Sequence, residues 1–250
     1  MRPFLYVLAG VNGAGKSSIG GHLLRSAGLD WFNPDTYARA LVQQLGLPQA
    51  AANGQAWQEG VQRLQAALAE GRNHAFETTL GGNSITALLR EASATHDVLM
   101  WFCGLSSPEQ HIARVSARVR AGGHPINEAD IRRRWPLSQQ NLITLMPSLS
   151  ALQVYDNSKE ASPGEDVPDP TCILQMEHGQ LQWPPADDLQ QLRATPDWAV
   201  PLLQAPLRCA TARCRSARKR GCRSRGSRSR RPLPRTMRSS AARSGRCSSR

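Results

Sequence analysis

Gly10-Val11-Asn12-Gly13-Ala14-Gly15-Lys16-Ser17 satisfies the spacing G-x-x-x-x-G-K-[ST]. Glycines at these points let successive backbone N–H groups turn inward around an oxyanion, and a helix opening at the lysine aims its positive dipole end at the same place. The lysine reaches the outer phosphates of a nucleoside triphosphate, and the hydroxyl after it is a hard oxygen ligand for Mg²⁺. The motif follows an apolar run, Phe4 to Ala9, that reads as a buried parallel strand, and precedes a helix-compatible stretch, Ser18 to Ser26, which is the setting the motif requires. This predicts ATP or GTP binding, with Gly10, Asn12, Gly13, Ala14, Gly15, Lys16, Ser17 and Ser18 around the phosphates and Ser17 on the metal.

Two carboxylates end strand-like segments: Asp35 in Phe32-Asn33-Pro34-Asp35 and Glu77 in Phe76-Glu77-Thr78-Thr79. Strand C-termini gather on the ligand side of an open parallel sheet, so both are expected to face the phosphate loop. The strongest apolar strand, Val98 to Cys103, ends in Cys103-Gly104 with no carboxylate, which argues against a motor or switch NTPase. One carboxylate is then available to take a proton from a substrate hydroxyl, as in a kinase. Asp35 could equally cap a helix over Thr36 to Leu45.

Arginines form a third group. Arg114, Arg118 and Arg120 lie on a helix begun by Ser107-Pro108-Glu109 and stopped by Gly122-Gly123, and Arg132, Arg133 and Arg134 follow an Asn127 cap. A lid of this kind would place guanidinium groups over the negative charge that spreads across a transferred phosphoryl group and would exclude water. A solvated basic face is the plainer alternative, since six side chains cannot all reach one phosphate.

These groups need a frame. Strand candidates at Trp31 to Asn33, His74 to Thr78, Val98 to Gly104 and Leu152 to Tyr155 alternate with helical patterns, the rhythm of an α/β protein. Over Gln55 to Glu70 the residues Trp57, Val61, Leu64 and Leu68 recur at helical spacing and are expected to form a stripe against the sheet. Cys172 to Glu177 and Leu181 to Trp183, joined at His178-Gly179, read as a hairpin after a connector from Lys159 to Pro170, and the folded body should end near Gln204.

The net charge of +12 is unevenly placed. Residues 208–250 hold 16 of the 31 Lys and Arg and no Asp or Glu, so residues 1–207 carry a net charge of about −4. The body is therefore not read as a polyanion binder. The tail, rich in Arg, Ser, Cys, Ala and Gly and poor in large apolar residues, is expected to be disordered. With 28 Arg against Lys16, Lys159 and Lys219 in the whole chain, it resembles GC-rich coding sequence read out of frame; a nucleic-acid-binding arm is the alternative. Eight apolar residues, Val98 to Leu105, make the longest run, well short of the roughly 20 of a membrane helix. Met1-Arg2-Pro3 leads directly into the first strand, so a cytoplasmic protein is expected. Cys103 and Cys172, in apolar runs, are expected as buried thiols.

Ala9 to Ser17, Phe32-Asn33-Pro34-Asp35, Ala75-Phe76-Glu77-Thr78-Thr79-Leu80, Arg118-Val119-Arg120-Ala121-Gly122-Gly123-His124, Asp130-Ile131-Arg132-Arg133-Arg134 and Tyr155-Asp156-Asn157-Ser158 together resemble the zeta-toxin family of P-loop kinases. The likeness covers about Phe4 to Ser158, with a weaker fit to Gln204. It implies an α/β P-loop NTPase fold of three layers with a mostly parallel sheet, like nucleoside-monophosphate kinases, and an arginine-bearing helical lid. It also implies an ATP- and Mg²⁺-dependent phosphotransferase over residues 1–207. The best-known members phosphorylate the 3′-hydroxyl of the sugar in UDP-N-acetylglucosamine as the toxin of a toxin–antitoxin pair, so a nucleotide sugar and an antitoxin protein are the implied partners. Carried over, Lys16 and Ser17 hold ATP and Mg²⁺, Asp35 is the general base, and Glu77, Thr78 and Thr79 bind substrate. Arg118 and Arg133 contact the transferred phosphate, with Arg132 and Arg134 as rivals for the second place. Val11 and Trp135 stand where many relatives have Pro and Tyr, and neither change removes a catalytic group. A metabolic kinase acting on another hydroxyl is the alternative reading of the same machinery.

Overall fold

A computed structural model of the chain describes residues 2–17, 20, 31–160 and 168–208. Ser18, most of the expected helix 18–26, part of the connector and the tail after Arg208 lie outside the described residues. The sheet has six strands: β1 (Phe4–Ala9), β2 (His74–Thr78), β3 (Asp97–Gly104), β4 (Ala151–Asp156), β5 (Thr171–Glu177) and β6 (Gln180–Trp183). Their order is β2-β1-β3-β4-β5-β6, with β2, β1, β3 and β4 parallel and β5 and β6 added antiparallel.

Strand β1 lies inside the sheet, between β2 and β3, as its lack of a polar face requires. Leu5, Val7 and Ala9 enter one core cluster and Tyr6 and Leu8 the other, as the two-residue period of a strand dictates. Helices α1 (Pro34–Leu45), α2 (Gln49–Ala69), α3 (Asn83–Ala92), α4 (Pro108–Arg120), α5 (Glu128–Leu145) and a short α6 (Leu189–Arg193) connect or follow the strands. Leu64 of α2, Leu89 of α3 and Leu142 and Leu145 of α5 cover the first face. On the second face Gly20, itself helical, lies against Leu8, where a Cβ would come within 2.3 Å of its side chain. Helices on both sides of the sheet give three layers.

Three expectations change. Trp31 to Asn33 is no strand; Phe32 makes one parallel bridge to Phe76, because Pro34 removes the next N–H and starts α1. The helix expected from Gln55 begins at Gln49; Leu64 and Leu68 of the expected stripe do face the core, but the rest of the inner face is Ala52, Ala56 and Ala67. Trp57 is 50% exposed. The small residues win because α1 crosses here, packing Ala38 against Ala52 and Ala56, and because Phe32 occupies the space beside Gly60. The chain also stays helical over 200–208, past Gln204, with Leu202 and Leu203 in the core. The hairpin turns at His178 and Gly179, both with positive φ, as a two-residue turn matched to the strand twist needs. Of the cysteines among the described residues, Cys103 is buried and Cys172 half-buried, both free thiols; burial pushes the Cys103 thiol up to about 12. Among the described residues no helix is long and apolar enough to cross a membrane.

Candidate active site

The phosphate loop leaves β1 between the ends of two neighbouring strands. Gly10 has φ +136°, its N–H donates to the Thr78 carbonyl of β2, and a Cβ there would sit 2.2 Å from the Cys103 carbonyl oxygen of β3. Only glycine fits such an approach. Gly13, at φ +86°, faces the His111 carbonyl of α4, where a Cβ would come within 2.8 Å of the oxygen. Asn157, at the end of β4, donates from Nδ2 to the Ala14 carbonyl at 2.9 Å. The loop is thus held from three strands and one helix before any ligand arrives. Helical backbone starts at Lys16 and Ser17, and the Lys16 ammonium lies 3.5 Å from the Val11 carbonyl oxygen.

His111 adds a support the sequence did not reveal. It is 1% exposed and its Nδ1 lies 2.8 Å from the Asn12 carbonyl oxygen. A carbonyl only accepts, so Nδ1 carries the proton of the neutral ring. Nε2 is buried and unpartnered among the described residues. Burial pushes the imidazole down from an ordinary 6.5 to about 4, against the opposing hydrogen bond to Asn12. The neutral ring is therefore the folded form, and its contribution is complete above pH 6.5 and lost as the pH falls from 6.5 to about 4. Wild type should lose about 3 kcal/mol more stability than His111→Gln across that window, read by urea denaturation at each pH.

The two carboxylates reach the loop by different routes. Phe32 donates its N–H to Ala75 and accepts from the N–H of Glu77, which delivers the following residues to the end of β2. Asn33, not Asp35, caps α1: its Oδ1 accepts from the Thr36 N–H at 3.0 Å. The expectation of Asp35 as cap fails because the helix begins at Pro34, two residues before Thr36. Asp35 instead sits in the first turn with Oδ2 3.5 Å from the Asn12 Nδ2. Glu77 is 6% exposed, and both its oxygens are engaged: Oε2 accepts from the Ser17 hydroxyl at 3.1 Å and Oε1 from the Trp31 indole at 2.9 Å. The Asn33 amide reaches the same hydroxyl at 3.4 Å. The Thr78 and Thr79 hydroxyls accept from the N–H groups of Leu80 and Gly81, and Asn141 of α5 donates to the Leu80 carbonyl. Both threonines therefore shape the turn that borders the cleft.

The arginines separate into distinct environments. Ser107 and Asn127 cap α4 and α5 as expected. Arg114 donates to the Lys159 carbonyl, Arg132 pairs with Glu109 at 2.5 Å, and Arg133 pairs with Asp130 at 2.8 Å; these pairs hold the carboxyls of Glu109 and Asp130 below the usual range. Arg118 donates to the His124 carbonyl at 3.4 Å, with its Nε buried. Arg134 turns inward, donating to the Asn12 Oδ1 at 2.9 Å and lying against Gly81. Its side chain is 27% exposed against 56% for Arg133, because one residue on a helix is a rotation of about 100°. His124 lies in the field of Asp35, Arg118 and Arg39, and burial lowers its pKa. Lys16, Ser17, Asp35, Glu77 and Arg134 thus gather around the phosphate loop; Arg132 and Arg133 pair with the lid carboxylates Glu109 and Asp130, and Arg134 also stands 4.0 Å from Asp130. Asn12, Trp31, His111 and Asn157 complete the frame. Of these, Asn12 and Asn157 stood inside recognisable motifs, while Trp31 and His111 carried no sequence signal.

No protein-family model and no curated protein matches the chain. Solved structures do. A chain of the AvrRxo1-ORF1:AvrRxo1-ORF2 complex with sulphate ions superposes with a TM-score of 0.50 at 16% identity, over 78% of this chain and 65% of that one. A chain of the PezAT chromosomal toxin–antitoxin system of Streptococcus pneumoniae gives 0.50 at 15% identity, over 70% and 72%. The chain has a P-loop kinase fold. At these identities the fold is what is shared, and the chain spans about two thirds of the length of the AvrRxo1 chain it matches. In a P-loop kinase fold the loop after β1 is the phosphate site, and here the side chains gathered around it come from β2, α1 and α5.

Proposed function

We propose that the protein is an ATP-dependent phosphotransferase of zeta-toxin type that phosphorylates a hydroxyl of a nucleotide sugar, with UDP-N-acetylglucosamine as the leading acceptor. What supports this reading is that Glu77 accepts from the Ser17 hydroxyl while Asp35 and Arg134 both meet the Asn12 side chain, all at the loop that carries Lys16. The acceptor and the role as toxin of a toxin–antitoxin pair rest on the motif resemblance and on the fold shared with the PezAT chain. A binding protein acting through its basic tail would not require two carboxylates and an arginine around Lys16. The domain is read as residues 1–207, with 208–250 as an appended tail.

The loop N–H groups and Lys16 bind the phosphates of ATP. Asp35 accepts the proton of the acceptor hydroxyl as it attacks, and Arg134 and Arg118 face the charge that develops on the transferred group. Arg134 takes the place given to Arg133 by the motif resemblance, since its guanidinium is the one at the loop. Mg²⁺ fits the donor set: the Ser17 hydroxyl and a buried Glu77 carboxylate oxygen lie 3.1 Å apart, and hard oxygen ligands from one or two side chains suffice when phosphates complete the shell. When bound, the ion neutralises charge on the β- and γ-phosphates. Glu77, with one oxygen oriented by Trp31, then belongs to the metal side of the cleft rather than to the acceptor side. Glu77→Gln should raise the Mg²⁺ concentration for half-maximal activity by about 10- to 100-fold, the cost of removing an orienting carboxylate.

The decisive experiment is incubation of the protein with labelled ATP, Mg²⁺ and a panel of nucleotide sugars and cell metabolites, followed by mass spectrometry. A phosphomonoester on UDP-N-acetylglucosamine is expected. ATP binding without any phosphorylated alcohol would overturn the enzyme reading, and another phosphorylated alcohol would replace the acceptor only. In Lys16→Ala, ATP affinity should fall at least about tenfold, so the thermal stabilisation that ATP gives by mass action shrinks or disappears.

A further inference from the structure

The Asn12 side chain has a position that its place in the phosphate loop does not by itself require. It is 3% exposed and lies between two side chains of opposite charge, Asp35 of α1 and Arg134 of α5. Its Oδ1 accepts from Arg134 of α5 and its Nδ2 faces the Asp35 carboxylate of α1, while its backbone carbonyl is fixed by His111 of α4. The orientation of the amide follows from its partners: a guanidinium only donates and a carboxylate only accepts. Among the described residues Asp35 is in no ion pair, although Arg134, whose own carboxylate neighbour is Asp130 at 4.0 Å, donates to the same Asn12 amide. Joined directly, the two would neutralise each other, with the carboxylate a weaker base and the guanidinium's donors consumed.

We propose that Asn12 is a positioning residue that holds Arg134 against the phosphate loop with one end of its amide and Asp35 with the other, so that base and arginine share a cleft without pairing. The proposal rests on the phosphotransferase reading above. It distinguishes the amide from the loop's glycines, which present N–H groups to phosphate. Losing it frees Arg134 to close on Asp35 and removes alignment from both, the kind of displacement that costs up to about 10²-fold in rate.

The test uses wild type, Asn12→Ala, Arg134→Ala and the double variant. Single-turnover transfer from ATP is measured, together with calorimetric affinities for Mg²⁺-ADP and a Mg²⁺-bound non-hydrolysable ATP analogue. Asn12→Ala is expected to slow transfer about 10- to 100-fold while ADP affinity stays within about threefold. The preference for the ATP analogue over ADP should fall in both single variants, and the double variant should lose no more of it than Arg134→Ala alone, since the two act as a unit. Equal weakening of both nucleotides in Asn12→Ala, or additive losses in the double variant, would overturn the proposal. Asn12→Ser, too short to span both partners, gives the same readouts if the alanine variant does not fold. A wild type that phosphorylates no alcohol refutes the kinase reading, and the nucleotide-preference cycle, which needs no turnover, still decides the role of Asn12.

Discussion

Arg134→Ala is expected to slow phosphoryl transfer by about 10³- to 10⁵-fold, the range for an arginine that stabilises the transferring group, whereas Arg133→Ala should leave the rate within about threefold. The contrast follows from where the two guanidinium groups lie. Arg133 is spent on an exposed pair with Asp130, and such pairs contribute about 0–1 kcal/mol. Arg134 is only 4.0 Å from the other oxygen of Asp130 but is half enclosed, lies against Gly81 and donates to Asn12 in the phosphate loop at 2.9 Å. Its charge therefore lies beside the phosphate loop where water is partly excluded, and under the proposed function it would act on the transferred group. Single-turnover transfer with saturating ATP is the measurement. Equal losses in the two variants would place the arginine contribution in the field of the lid as a whole.

Asp35→Asn should cost about 10²- to 10⁴-fold in turnover, the contribution of a general base, with ATP affinity within about threefold of wild type. The substitution keeps the size of the side chain and its place in the first turn of α1. Because Asn33 supplies the cap, the helix does not depend on the carboxylate for its start; what is lost is a small favourable interaction with the helix dipole, about 0.3–1 kcal/mol. The fold should therefore survive while proton acceptance disappears. Turnover near the wild-type value would move the base to another group, and His124, in the field of Asp35 and Arg118, would be the next to replace.

Much of the architecture was legible because its signals are local. The runs at Phe4 and His74 gave β1 and β2 at their observed limits, and Ser107, Asn127 and the His178-Gly179 pair marked caps and a turn by chemistry that acts within a few residues. The errors fell where a neighbour distant in sequence decides. Helical spacing placed Leu64 and Leu68 of α2 correctly on its inner face, but where α1 crosses closely alanine is selected instead, so Trp57 turns to solvent.

The same division holds at the site. From its residues alone the chain specified a phosphate loop, a pair of carboxylates at strand ends and a set of arginines flanking a glycine turn, since each is defined by spacing within a short segment. Which arginine reaches the phosphate loop, which carboxylate stands beside the Ser17 hydroxyl, and that the Asn12 amide lies between Asp35 and Arg134 were decided only in three dimensions. Each depends on contacts between segments 20 to 120 residues apart, from Asn12–Asp35 to Asn12–Arg134, and a rotation of one residue on α5 is enough to exchange an exposed ion pair for a place at the phosphate loop.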